Sequence, residues 1–185
     1  MDAFLDWVQK TSLAVDIRDS LLLFPLLEST HVIGLAIVFG TIVIIDLRLL
    51  GLASTHRSFQ RLASDTLKWT LGAFVLTVIT GSLMFMTNAV VYFHNTWFRA
   101  KALLLLLAGL NAIAFELTTR RKVREWDMAR SAPPLARAVA AISLVIWIGV
   151  IFAGRMIGFT ATRATVNEPP AADQPALEDL LGLPK

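Results

Sequence analysis

The stretch from Leu26 to Leu47, LLESTHVIGLAIVFGTIVIIDL, decides the fold. Its ionisable groups crowd the two ends, with Glu28 and His31 in the first turns and Asp46 in the last. Everything between them is apolar, small or hydroxyl-bearing. The hydrocarbon layer of a bilayer is about 30 Å thick and takes roughly 20 helical residues to cross. No water is available there to satisfy backbone amides, so such a stretch reads as a membrane-spanning helix. Pro25 stands just before it, where a missing backbone N–H costs a helix little. Three further apolar stretches follow, at about residues 69–93, 98–117 and 139–159. The sequence therefore predicts an all-α integral membrane protein. Short connections favour antiparallel neighbours, which makes residues 21–160 a four-helix up-down bundle.

Composition points the same way. A chain of 185 residues that is 56% hydrophobic and 17% charged, with mean hydropathy +0.65, is too apolar for a soluble domain. The absence of cysteine excludes disulfides, thiolate nucleophiles and zinc–thiolate sites. There is no phosphate-binding glycine loop, nucleophile elbow or H-E-x-x-H, so no hydrolytic or group-transfer activity is assigned. The pI of 9.7 comes from connections rather than from a nucleic-acid-binding face. Ten of the 17 Lys and Arg residues lie on the side reached after spans one and three, among them Arg57, Arg61 and Arg137, but only five of the 14 acids do, counting Asp46 and Glu116 at the span ends. By the positive-inside rule that side is cytoplasmic, which places both termini on the periplasmic side of a bacterial inner membrane.

The flanks have their own signatures. In residues 1–20, Phe4, Leu5, Trp7, Val8, Leu13, Val15 and Ile17 alternate with Asp and Lys, the pattern of an amphipathic helix lying on the membrane interface. This N-terminus is acidic and lacks a basic n-region, so it does not read as a removable signal peptide. Residues 161–185, rich in proline and acids, are predicted to be a mobile external tail with one short turn around Leu177–Leu181.

Ionisable residues are costly inside a membrane and are the default places to look for function. Glu28, His31, His94, Arg99, Lys101 and Arg155 all fall at the outer end of the predicted spans. One reading is structural: Glu28 pairs with Arg155 or Lys101, Arg155 being buried, and His31 donates to a carbonyl. A second makes His31 and His94 the axial ligands of haem b, with Arg99, Lys101 and Arg155 near its propionates, in an electron-transfer role with a periplasmic or membrane redox partner. A third adds Met84, Met86 and Met156 to the imidazoles as soft ligands for copper, although Met is also ordinary packing. A cofactor-free accessory or assembly subunit stands beside these. Among the remaining polar residues, Asn95 fits an N-cap for span three, Asp46 and Arg48 fit anchors at the cytoplasmic end of span one, and Trp69 and Trp126 fit the inner aromatic belt.

FPLLESTHVIGLAIVFGTIVIIDLRLLGL (24–52), FHNTWFRAKALLLLLAGLNAIAFE (93–116) and WIGVIFAGRMIGF (147–159) resemble an uncharacterised bacterial family of small four-helix membrane proteins, over about residues 1–160. The segment Lys101–Asn111 also resembles the corresponding helix of the copper-resistance protein D superfamily, whose members share a general plan with four-helix b-type cytochromes. That second resemblance implies copper handling or haem-based electron transfer, by analogy of fold. The closer one implies a His where this chain carries Glu116, so a site using that position would be altered here. It also implies a Pro after Asn95, where Thr96 stands and leaves the cap intact.

Overall fold

The computed structural model describes residues 1–118, 123–129 and 132–166. Its regular elements are all helices. Two short ones, α1 (Asp2–Gln9) and α2 (Ser12–Asp19), precede the long α3 (Leu23–Leu50) and α4 (Phe59–Thr87). The short α5 (Ala89–His94) leads into α6 (Thr96–Thr118), and α7 (Val123–Trp126) comes before α8 (Pro134–Val166). No strand occurs among the described residues.

Four of these helices, α3, α4, α6 and α8 as far as Thr160, are long and apolar enough to cross a bilayer, with mean hydropathies between 1.7 and 2.3. Their outward surfaces are apolar too: Val32, Ile33, Val75, Val78, Ile79, Leu106, Ile113, Val145 and Ile148 are all more than half exposed. A soluble protein does not leave such continuous apolar surface in water. This is a multi-pass membrane protein.

Local chemistry sets the helix ends. Ser20 Oγ accepts from the backbone N–H groups of Leu22 and Leu23 in the turn that leads into α3, with Pro25 in the first turn of that helix. Gly51 ends that helix in the left-handed region at φ 76°, and Leu52 N–H returns to Leu47 O at 2.9 Å. The second span begins ten residues before the predicted start at Trp69, because Ser58 caps it by accepting from Arg61 N–H. It also ends earlier than predicted. Asn88, at φ −147°, breaks the helix, and residues predicted to complete the span form α5 instead. Asn95 caps α6 as its position suggests, accepting from Trp97 N–H at 2.9 Å. Helix α8 runs to Val166, past the predicted end at Phe159, so the predicted tail begins inside a helix. The rest of that tail, including Leu177–Leu181, lies outside the described residues, as do Arg120, Arg121, Lys122 and Arg130.

The spans pack in the order α4–α3–α8–α6. Gly34 lets α3 approach α4 closely, within reach of Ala73 O and Thr77. One apolar cluster, Val38, Ala73, Trp147 and Val150, joins α3, α4 and α8 at mid-height. A second, at the end bearing the basic connections, gathers Leu49, Phe59, Val123, Trp126, Ala132, Ala136 and Ala140. On the fourth side, α4 and α6 meet through stacked Phe85 and Phe98 at one end (5.2 Å between centroids) and through Phe59 and Phe115 at the other (5.8 Å). Helix α6 buries no residue completely. Helices α4 and α6 leave a cleft between them on that side.

Candidate functional site

The six ionisable residues expected to share one pocket divide into separate groups. His31 Nδ1 lies 3.0 Å from Thr80 Oγ1. Thr80 is 4% exposed, and its hydroxyl proton is committed to Leu76 O at 2.8 Å, so its oxygen accepts from His31. An Nδ1–H tautomer with the lone pair on Nε2 suits this geometry. The ring lies flat enough on α4 that a Cβ at Gly81 would come within 2.9 Å of His31 Cε1. Lys101 is half-buried on α6 and places Nζ 3.6 Å from where a Cβ at Gly154 would stand.

His94 is elsewhere. Its side chain is 52% exposed, Nε2 meets Asp2 Oδ1 at 3.1 Å and Nδ1 faces the Arg99 guanidinium at 3.5 Å. Arg99 in turn donates to Phe93 O. Arg155, expected to be buried in an ion pair, is instead exposed, with its guanidinium 4.7 Å from the centroid of Phe159 one turn on. Glu28 is exposed and forms no salt bridge among the described residues. Met84, Met86 and Met156 are each partly buried, but residues two apart on a helix face different ways. Met84 and Met86 therefore do not converge.

A separate space lies towards the other end of the spans. It is a cavity of about 1050 Å³ in the cleft between α4 and α6, floored by α3 and α8. Its walls are mainly apolar, with Ile42, Phe74, Leu105, Phe115 and Trp147 prominent. Asp46 is the exception. It is 5% exposed, lines the cavity, and leaves Oδ2 without a hydrogen-bond partner, while the Ser143 hydroxyl stands beside the same carboxyl group. Asn111 also lines the cavity and donates an amide N–H to Val139 O at 3.1 Å. Gln60, Arg61 and Glu116 add polar groups towards the basic end.

Below the cavity, Arg48 holds the connections together. It is completely buried, and it donates to the carbonyls of Arg57, Asp127 and Ala129 at 3.0, 3.0 and 3.1 Å. The Asp127 carboxylate receives the Ser58 hydroxyl at 2.6 Å and Gln60 N–H at 2.8 Å. Burial alone would raise the Asp127 pKa. The Ser58, Gln60 and Phe59 donors and the Arg48 charge outweigh it and hold the group below the usual aspartate value. Trp126, expected in an interfacial belt, is 7% exposed and packs on Phe59 at 5.3 Å.

The model of a family of unknown function, DUF6644, matches residues 4–160. The chain belongs to this family. Neither the curated proteins nor the solved structures contain a match. Membership of DUF6644 therefore brings no activity with it, and no comparison shows a likeness to the copper-resistance protein D superfamily. Among the described residues no three His, Cys, Asp or Glu side chains are grouped to hold a metal ion. The residues that line the DUF6644 cavity were legible in part: Asp46 is a carboxylate inside an apolar run, which is itself a functional signal. Its two-residue spacing from Arg48 instead suggested a shared anchoring role.

Proposed function

We propose that this protein binds, in the cleft between α4 and α6, a lipid-soluble small molecule with an apolar body and one polar end that donates a hydrogen bond or carries positive charge. The observation carrying this reading is the unpartnered Oδ2 of a carboxylate 5% exposed, on the wall of an apolar cavity of about 1050 Å³. Leaving a buried acceptor unsatisfied costs roughly 1–3 kcal/mol, more if it is charged, so a ligand donor there gains what the empty site lacks. Small-molecule sites have this make-up: mostly apolar walls and a few convergent polar groups. The cavity size suits a drug-sized or isoprenoid-sized molecule, and the cleft gives it a lateral entry from the bilayer.

The same reading places the basic end at the cytoplasmic face of a bacterial inner membrane, following the Lys and Arg excess there. Helices α1 and α2 then lie on the periplasmic interface. In support, Phe4 and Trp7 are exposed and stacked at 5.9 Å, while Leu5 and Ile17 face inward. Haem b and copper fit less well. His94 has Nε2 on Asp2 and Nδ1 facing Arg99, and Met84 and Met86 face different ways along one helix.

The test uses full-length protein in nanodiscs and a bromine-bearing aromatic amine as probe, with its uncharged, donor-free analogue as comparison. Quenching of Trp147 fluorescence, read against Trp147→Phe, reports occupancy. Saturable quenching by the amine, weaker with the analogue and weakened about tenfold or more in Asp46→Asn, is the expected result. Equal quenching by both compounds, or an unchanged Asp46→Asn variant, overturns the proposal.

A further inference from the structure

The α4–α6 cavity changes width along its length, and contacts between the helices locate the wide part. Helices α3 and α4 run antiparallel, with the Thr41 and Thr70 hydroxyls 2.8 Å apart. Following both from there towards the basic end brings Asp46 level with Ala63 and Ser64. Helices α6 and α8 are also antiparallel. Asn111 bonds Val139 O at 3.1 Å, and a Cβ at Gly149 would stand 3.2 Å from Leu104 Cδ1. Ser143, whose hydroxyl lies beside the Asp46 carboxyl, falls between those two contacts, level with Ala108 and Gly109. Every glycine, alanine and serine lining the cavity is thus within about one helical turn of the depth of Asp46: Ala63, Ser64, Ala108, Gly109, Ala112 and Ser143.

Small residues in spans often serve close helix packing. Here they border open space, since a Cβ added at Gly109 would meet nothing within 4 Å. Bulkier side chains bound this chamber on both sides. Phe74, Leu105 and Trp147 line the cavity towards mid-height, and the rings of Phe59 and Phe115 stand 5.8 Å apart towards the connections. Into the wide level comes the Asp46 carboxyl, 5% exposed, with Oδ2 unpartnered. The room in this cavity is therefore around its polar anchor. A straight-chain donor would satisfy Oδ2 and leave space beside it, and atoms that face a void lose their dispersion partners. A ring carrying the donor fills that space.

We propose that the cavity selects amphiphiles whose bulk is at the polar end: a donor-bearing ring against Asp46, with a slimmer apolar tail running towards Trp147. This choice of head group rests on the ligand-binding reading of the same cavity. Two primary amines matched in carbon count, each brominated at the end of its tail, separate head shape from charge. One is a para-alkylbenzylamine and the other a straight-chain alkylamine. Binding to the full-length protein in nanodiscs is read as quenching of Trp147, against Trp147→Phe. The benzylamine should bind about tenfold more tightly or better, and Gly109→Leu should remove that advantage by filling the chamber. The straight-chain amine should change less than about threefold in the same variant. Ala112→Leu, on the same helix, should repeat the result. Gly72→Leu, in open space on α4 and outside the cavity, should leave both amines unchanged. Asp46→Asn should weaken both. Equal binding of the two amines, a ring preference that survives both Gly109→Leu and Ala112→Leu, or one lost in Gly72→Leu overturns the head-group assignment. If Asp46→Asn still weakens both amines in those cases, the cavity reading stands without it. If neither amine quenches saturably, the cavity reading fails and the head-group assignment with it.

Discussion

Replacing Arg48 by methionine should be the most damaging single change at the basic end. The guanidinium has 0% exposure and donates to three carbonyls from two separate connections, Arg57 on one and Asp127 and Ala129 on the other. Each hydrogen bond to a charged group contributes roughly 1.5–3 kcal/mol net, but the three belong to one guanidinium and do not add in full. Some of the freed carbonyls regain water at the membrane surface. Removing one partner from a buried charged network typically costs about 3–5 kcal/mol, and that is the expected loss. For a chain of this size it corresponds to a fall in Tm of about 6–20 °C. Arg155→Ala supplies the contrast. Its exposed guanidinium contacts one aromatic ring, worth about 0.5–1 kcal/mol and a shift of at most a few degrees. Arg48→Lys, able to reach one carbonyl but not three, should fall between them. The assay is loss of the monodisperse size-exclusion peak after heating in detergent, at matched protein concentration. An Arg48→Met protein as stable as Arg155→Ala would refute the claim that this guanidinium holds the connections together.

Gly81→Ala should lower Tm, by an overpacking cost of about 1–3 kcal/mol, because the new Cβ meets His31 Cε1 at 2.9 Å. Gly72→Ala, with open space around it, should be neutral or stabilising in the same melting assay. The lowered Asp127 pKa makes its contribution to stability fully present above the ordinary aspartate value of 3.8, and lost as pH falls below that value through the folded one. An acid-titration profile of Tm should therefore lose a component below about pH 4 in Asp127→Asn, and an unchanged profile contradicts the assignment. Protein purified from haem-supplied cells should show no Soret band that depends on His94, and a band abolished by His94→Ala would revive the bis-imidazole reading.

What the sequence revealed about the fold was local. Four apolar runs of sufficient length specify four helices, since the bilayer itself enforces backbone satisfaction. The Asn95 cap and the first-turn Pro25 were legible for the same reason, as each acts on its immediate neighbours. Hydropathy marks where lipid contact ends and not where hydrogen bonding ends. That is why α4 starts at Phe59, under a Ser58 cap that also binds Asp127 from a distant connection. It is also why Asn88 could separate α5 from α4 without any apolar residue changing. The order of helices around the molecule was not legible. Two residues at equal depth can face the same space or opposite sides of a helix, and depth was all the sequence supplied for His31, His94 and Arg155. Their separation into different environments follows from which helix packs on which.

Asp46 and Arg48 carry that argument further, because their proximity in sequence invites an ion pair that the helix forbids. Residues two apart on an α-helix point to different faces. Arg48 looks towards the connections and donates to carbonyls from Nε and Nη2, leaving Nη1 without a partner, while Asp46 lies in the cleft beside Ser143. With no shared partner, the two should act on stability nearly independently. Arg48→Met is expected to destabilise strongly. Asp46→Asn, which replaces an unpartnered buried carboxylate with a neutral amide, should be neutral or stabilising in the absence of ligand. In a double-mutant cycle the two effects should then add to within about 0.5 kcal/mol, the usual bound for uncoupled sites. A larger coupling would mean that Asp46 neutralises Arg48 after all. In that case its free oxygen is not waiting for a ligand, and the cleft loses the polar anchor on which its proposed function depends.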